Sequence, residues 1–118
     1  MIKLVTFLTR RPGMSVADFR AYYEANHRII GEKVLGGYAC HYIRRFTDPA
    51  DGMAREGDPD VVMEIWFPDR AAYDACFANI ARPEVIAEIV EDEERLFDRS
   101  KLRSYIVTEY ESDMPEPA

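Results

Sequence analysis

The sequence predicts an α+β fold in which four antiparallel strands make one sheet and the helices lie on one face of it. Three observations predict this. Runs of β-favouring residues alternate with amphipathic helical runs, two strand-like runs follow each other with no helix between them, and strand-like runs open and close the pattern. At 118 residues, with 47% hydrophobic and 31% charged residues, the chain has the length and mixture of one globular domain.

Residues 2–9 alternate Ile2, Leu4, Thr6, Leu8 with Lys3, Val5, Phe7, Thr9, the period of a strand, and Arg11-Pro12-Gly13 ends it. Ser15 followed by Asp18 resembles a capping box, and Val16, Phe19, Tyr22, Tyr23, Asn26 and Ile30 recur at helical spacing, so a helix is predicted at about residues 15–30. Gly36-Gly37 breaks the chain before a second strand at 38–46, with Tyr38, Cys40, Tyr42 on one face and Ala39, His41, Ile43 on the other. Residues 47–59 hold two prolines, two glycines and four acids without apolar periodicity, as the loop of a wide hairpin would. A third strand follows at about 60–67, with Val61, Met63, Ile65, Phe67 opposite Val62, Glu64, Trp66.

Asp69 can cap a second helix carrying Ala72, Tyr73, Cys76 and Phe77, and Pro83 suits the first turn of a third, running to about residue 98. Residues 101–111 supply the last strand. One domain is therefore expected over 1–111, with 112–118 a loose tail. The order β-α-β-β-α-β, its second α element split in two, is the split βαβ arrangement of ferredoxin-like folds. Aromatic or branched residues alternate on both sides of most strands, so a second copy of the sheet is the expected cover for the free face, making a homodimer.

Composition narrows the function classes. No run approaches the roughly 18 apolar residues of a membrane span. Met1-Ile2-Lys3-Leu4-Val5 alternates instead of forming a signal peptide's apolar block, so the expectation is a cytoplasmic protein with no membrane partner. Twenty-two acids against fifteen Lys and Arg give a net charge of −7, which opposes nucleic acid as a partner. Residues 1–45 carry net +5 and residues 46–118 net −12, a split that can pair two halves of one fold or two copies of the chain. Cys40 and Cys76 are too few for a disulfide scaffold and read as small hydrophobes. There is no G-x-G-x-x-G, Walker loop, G-x-S-x-G or H-E-x-x-H, and two histidines fourteen residues apart make no metal triad, so neither cofactor nor metal is expected.

Taking about 100° per residue, Val85, Ile86, Ile89, Val90, Leu96 and Phe97 form one apolar arc on the third helix. Glu93 falls near the middle of that arc and Asp92 at its edge, while Glu84, Glu88, Glu91 and Glu94 lie outside it. A carboxylate aimed at a core is expensive unless paired, hydrogen-bonded or protonated, and an ion pair to Arg44, Arg45 or Lys3 would explain Glu93 as well as chemistry would. On the first helix the arc centres on Phe19, Tyr23 and Ile30, with Asn26 inside it and His27 on its flank. His27 can face a pocket as an acid/base group or sit as a hydrogen-bonded, partly buried ring. His41 lines a cavity or faces solvent, depending on which side of the sheet the helices cover, and the aromatics Trp66, Tyr22, Tyr42, Tyr73 and Phe97 serve as core or as ligand contacts. An acid/base pair beside aromatic walls suits proton transfer on a hydrophobic small molecule without a cofactor.

The opening 2–15, the Phe19-Arg20-Ala21-Tyr22-Tyr23-Glu24-Ala25-Asn26-His27 helix, Glu64-Ile65-Trp66-Phe67, and Glu91-Asp92-Glu93-Glu94-Arg95-Leu96-Phe97-Asp98 together resemble the EthD family of dimeric α+β barrels, over about residues 2–110. The resemblance implies a ferredoxin-like subunit, dimerisation through the sheets into a barrel, and a hydrophobic cavity between each sheet and its own helices. It maps the family's helix-end histidine onto His27, its acidic stretch onto Asp92 and Glu93 with Asp98 trailing, and its strand-two tyrosine onto His41 or Tyr42. The chain departs from the family in having His27-Arg28-Ile29-Ile30 where a proline usually follows the histidine, and in the length of its 47–59 loop. The relatives so implied include proteins associated with ether degradation and fungal polyketide dehydratases or decarboxylases; the wider superfamily adds cofactor-free monooxygenases, cyclases and isomerases.

The expected function is thus a cofactor-independent enzyme moving protons on an aromatic or carbonyl-containing apolar molecule, as a dehydratase, lyase or isomerase. His27 would be the general base or acid. Glu93, with Asp92 second, would hold the imidazole or act as the opposite proton partner, and Tyr23, Trp66 and Phe97 would form walls. Two alternatives stand beside it: a cofactor-free monooxygenase of an electron-rich aromatic, and a non-catalytic small-molecule-binding or accessory protein.

Overall fold

The computed structural model describes residues 1–118. The alternation at the amino terminus forms β1 (Ile2–Leu8), whose Leu4, Thr6 and Leu8 are buried beneath the helices. Ser15 caps the following helix, its hydroxyl accepting from the Asp18 backbone N–H at 3.0 Å. That helix comprises α1 (Val16–Tyr22), a π turn (Tyr23–His27) and α2 (Arg28–Leu35). It runs five residues past the predicted end at Ile30, because Val34 and Leu35 are buried and Gly31 is retained inside the helix; the break comes at Gly36-Gly37, where Gly37 takes a φ of 87°.

β2 (His41–Phe46) and β3 (Val61–Phe67) pair antiparallel, as the hairpin reading requires. The intervening loop is fastened at its base: Asp60 accepts from the Arg10 backbone N–H at 2.8 Å and its guanidinium at 2.6 Å, and its own N–H donates to the Leu8 carbonyl. Asp69 caps α3 (Arg70–Ile80), Pro83 opens α4 (Pro83–Leu96), and a 3₁₀ turn (Arg99–Lys101) leads into β4 (Arg103–Ile106). β4 is shorter than predicted. Its last backbone bond to β1 is the Val107 N–H donating to the Lys3 carbonyl, and at most two further residues could find a partner, because β1 begins at Ile2.

The sheet order is β2-β3-β1-β4, every pair antiparallel, with all helices on one face, which is the ferredoxin-like arrangement the sequence predicts. Two apolar clusters fill the space between the layers. Leu8, Phe19, Tyr23, Val61, Leu96 and Phe97 make one; Leu4, Leu35, Ile65, Phe67 and Cys76 make the other. Phe19, Tyr23 and Phe97 meet edge to face at 5.8–6.2 Å, worth about 0.5–1.5 kcal/mol per pair beyond burial itself. The charge split is partly resolved within the chain: Lys3–Glu109, Arg10–Asp60, Arg20–Asp48, Lys33–Glu88 and Arg45–Glu64 join the basic first half to the acidic second.

The strand registers place His41 opposite Trp66, Ile43 opposite Glu64 and Val5 opposite both Glu64 and Tyr105. These residues share the face that carries no helix. Trp66 and His41 therefore do not line the space between sheet and helices, contrary to the expected walls. The two rings meet edge to face at 4.6 Å on the far face, where Lys3 Nζ lies 3.8 Å above the indole. The choice between His41 and Tyr42 for the inward residue of β2 falls to Tyr42, because side chains alternate across a strand.

Candidate active site

A cavity of about 210 Å³ lies where the two apolar clusters meet. Leu4, Thr6, Leu8, Tyr42, Met63 and Ile65 form its sheet wall; residues of the long helix, α3 and α4 form the opposite wall, among them His27, Ile89, Glu93 and Phe97. Tyr42 crosses beneath the long helix at Gly31, where an added Cβ would lie 2.8 Å from the phenol oxygen, so this close approach requires the glycine. A larger groove of about 1060 Å³ lies at the loop end, and its Arg10 is already paired with its Asp60. Its lining contains no histidine and no buried residue.

His27 and Asp92 are both buried, and His27 Nδ1 lies 2.9 Å from Asp92 Oδ2. The other carboxylate oxygen accepts from the Tyr22 hydroxyl at 2.5 Å and stands 3.5 Å from the Arg95 guanidinium. A carboxylate only 3% exposed is tolerable because donors meet both oxygens. Burial first, then the bond to Asp92, raises the Tyr22 pKa, which keeps that phenol a donor.

The π turn makes this arrangement possible. In a regular α-helix Tyr22 and His27, five positions apart, would point about 140° away from each other. An i→i+5 turn aligns them on one carboxylate, turning His27 inward and leaving Asn26 exposed with its side chain bonded to the Tyr22 carbonyl. Helical periodicity alone thus places Asn26 in the arc and gives no hint that Tyr22 and His27 meet on one carboxylate. The imidazole is wedged between Tyr23 and Phe97, each 5.2 Å away and nearly perpendicular to it.

A carboxylate can only accept, so the tautomer of the imidazole that satisfies this contact carries its proton on Nδ1 and its lone pair on Nε2. Nε2 has no hydrogen-bond partner within the protein. The sequence puts Glu93 first and Asp92 second as the acid holding the imidazole; the structure gives that contact to Asp92 and sets Glu93 on the cavity wall. None of Arg44, Arg45 and Lys3 reaches Glu93, which has only Arg99 at 3.9 Å, while the other three pair with Glu24, Glu64 and Glu109. Tyr42 and Phe97 line the cavity, whereas Tyr23 lies behind the imidazole, its hydroxyl 3.0 Å from that of Tyr42. No three His, Cys, Asp or Glu side chains are grouped to hold a metal ion.

Burial raises the pKa of Glu93, while the nearby His27 and Arg99 oppose the rise. A folded-state value above the unfolded one means that ionising Glu93 costs stability as pH rises through the interval between them. Glu93→Gln is therefore expected to raise the melting temperature at neutral pH, with the gain shrinking below about pH 4, where the wild-type carboxyl is protonated in both states. A pH series of thermal melts checks this; a gain that is equal at both pH values would contradict it.

A family model described as the EthD domain matches residues 11–100. No curated protein sequence matches the chain. Among solved structures, the chain is similar to an EthD family protein from Bacillus halodurans, at 14% identity and a TM-score of 0.66, over 93% of this chain and 100% of that one. It is also similar to a dabb family protein with a ferredoxin-like fold from Mesorhizobium loti, at 14% identity and TM-score 0.56 over 93% and 97% of the two chains. An antibiotic biosynthesis monooxygenase has 13% identity and TM-score 0.53 over 94% and 100%. These likenesses establish the fold, and the match over residues 11–100 establishes the family: the chain belongs to the EthD family.

Proposed function

We propose that this protein is a cofactor-independent enzyme that moves a proton on a small apolar molecule bearing a carbonyl or an aromatic ring. The observation that carries this reading is the buried Asp92–His27 pair, which leaves the Nε2 lone pair of an inward-facing imidazole free beside an apolar cavity. In this reading Nε2 takes a proton from the carbon next to a ligand carbonyl, the electron pair moves onto the carbonyl oxygen, and Asp92 stabilises the resulting imidazolium. Glu93, whose pKa burial raises, supplies the proton to a second position on the ligand, as a dehydratase, lyase or isomerase requires. At 210 Å³ the cavity suits one substituted ring, since about 150 Å³ accommodates benzene.

Acetophenone in deuterated water tests this directly, because base removal of a methyl proton is read as deuterium incorporation. Exchange is expected to accelerate with the wild-type protein and to fall about 10²-fold or more with His27→Gln. Binding of acetophenone without acceleration would favour the non-catalytic binding reading. The fold shared with an antibiotic biosynthesis monooxygenase supports a second enzymatic reading, in which His27 deprotonates an electron-rich aromatic before oxygen reacts; oxygen uptake with an anthrone or quinol separates the two.

We further infer a homodimer joined through the bare sheet face. Phe7 and Tyr105 are 37% and 44% exposed there, and with Val5, Ile43, Val62 and Trp66 they make an apolar patch around the Arg45–Glu64 ion pair, the kind of surface a second copy of the sheet would cover. Light scattering is expected to give about twice the 13.6 kDa chain mass, and Phe7→Glu to return it to one chain. A wild-type monomer at micromolar concentration would remove the barrel.

A further inference from the structure

The sheet wall of the cavity carries one polar feature that the proton-transfer reading does not use. Thr6 of β1 and Ser104 of β4 are register partners, and their hydroxyl oxygens lie 2.8 Å apart. Both line the cavity, on the wall opposite His27 and Glu93. Leu4 and Leu8, the neighbours of Thr6 on the same face of β1, are apolar, as are Met63 and Ile65 of the adjacent strand. Thr6 is only 3% exposed, so its hydroxyl pays a desolvation cost that valine, equally suited to a strand, would avoid.

Two hydroxyls contain two O–H donors, and their mutual bond consumes one. One donor and several lone pairs remain for a third group. The Tyr42–Tyr23 pair, by contrast, has both its donors engaged when Tyr42 donates to Tyr23, because the Tyr23 hydroxyl donates to Met63 Sδ at 3.4 Å. Ser104 and Ile86 are the exposed members of the cavity lining and mark its mouth between β4 and α4, so Thr6 is the inner and Ser104 the outer hydroxyl of the pair.

The geometry points to a substrate-orienting site: the Thr6–Ser104 pair binds a hydroxyl on the ligand, which sets the opposite side of the molecule toward His27 and Glu93. This deepens the preceding reading and rests on it. It assigns the ligand to the class of single-ring molecules carrying a hydroxyl as well as the reacting group. A hydroxyl both donates and accepts, as the pair does, so it completes a chain of three O–H groups that an unsubstituted ring cannot. Thr6 and Ser104 are positioning residues here, because neither is placed to exchange a proton at the reacting atom.

The test compares acetophenone with its meta- and para-hydroxy derivatives by calorimetric titration. At least one hydroxylated isomer is expected to bind wild type about 3- to 10-fold more tightly than acetophenone, the worth of one neutral hydrogen bond. In Thr6→Val/Ser104→Ala that margin, taken as the ratio of the two affinities in the same variant, is expected to vanish. A purely structural role, tying β4 to β1, would alter both affinities together and leave their ratio intact. Ser104→Ala alone, at the exposed end of the pair, serves as the second variant if the double variant does not fold, and it too is expected to shrink the margin. No margin in wild type, or a margin that survives these substitutions, overturns the orienting site and leaves the cavity reading standing. Failure of acetophenone and both hydroxylated isomers to bind wild type overturns the two together.

Discussion

Asp92→Asn is expected to lower the rate of acetophenone exchange by about 10²- to 10⁴-fold while leaving its dissociation constant nearly unchanged. The carboxylate accepts from His27 on one oxygen and from Tyr22 on the other, and it opposes the charge that His27 gains when it takes a proton. An amide of the same shape has one accepting oxygen. If that oxygen faces Tyr22, the amide nitrogen faces Nδ1 and favours the wrong tautomer; if it faces His27, the phenol loses its acceptor. Either way the imidazolium loses its counter-ion, so kcat should fall and KM should not. Equal loss in kcat and in ligand affinity would instead mean that Asp92 shapes the cavity without acting on the base.

Tyr23→Ala is expected to destabilise the fold by about 3–5 kcal/mol, a large part of the roughly 5–15 kcal/mol that holds a domain together. Tyr23 is fully buried, and its ring packs edge to face against Phe19, Phe46, Phe97 and the His27 imidazole. Removing it opens a void at the end of the core that fixes His27. Tyr23→Phe keeps the ring and loses only the hydroxyl that meets Tyr42 and Met63, so it should cost about 1 kcal/mol. Urea midpoints for the pair separate the two contributions. A loss below about 1 kcal/mol for the alanine variant would mean that the cluster relaxes around the gap and does not depend on this ring.

Much of the fold is legible in the residues. Alternation in β1 and β3, the caps Ser15 and Asp69, and Pro83 at the head of α4 are local signals, and each element stands where its signal lies. Ends were harder to read wherever tertiary contacts set them. Buried Val34 and Leu35 carry the long helix past Gly31, and the length of β4 is limited by how much of β1 lies opposite it. The identities of His27, Asp92 and Glu93 follow from the helical arcs, but their partnership does not. The π turn shifts the face of the long helix midway, so an even 100° wheel leaves Asn26 inside and does not bring Tyr22 and His27 to one carboxylate, while the arc of α4 gives Glu93 precedence over Asp92. Trp66 and His41 were ambiguous because apolar residues occupy both faces of the strands, and only the location of the helices decides which face encloses a cavity. Thr6 and Ser104 lie 98 positions apart and acquire meaning only through strand register.

The decisive measurement is the nitrogen spectrum of the His27 side chain, recorded by long-range proton–nitrogen correlation at about pH 9, where a histidine is ordinarily neutral. With Asp92 accepting from Nδ1, the expected spectrum has a protonated-type shift at Nδ1 and a bare, pyridine-type shift at Nε2, the latter moving when acetophenone is added. His41, exposed on the other face of the sheet, provides the internal comparison and should not respond directly to the ligand. A proton on Nε2 of His27, or an Nε2 shift indifferent to every ligand that binds, would contradict a cavity-facing base oriented by Asp92.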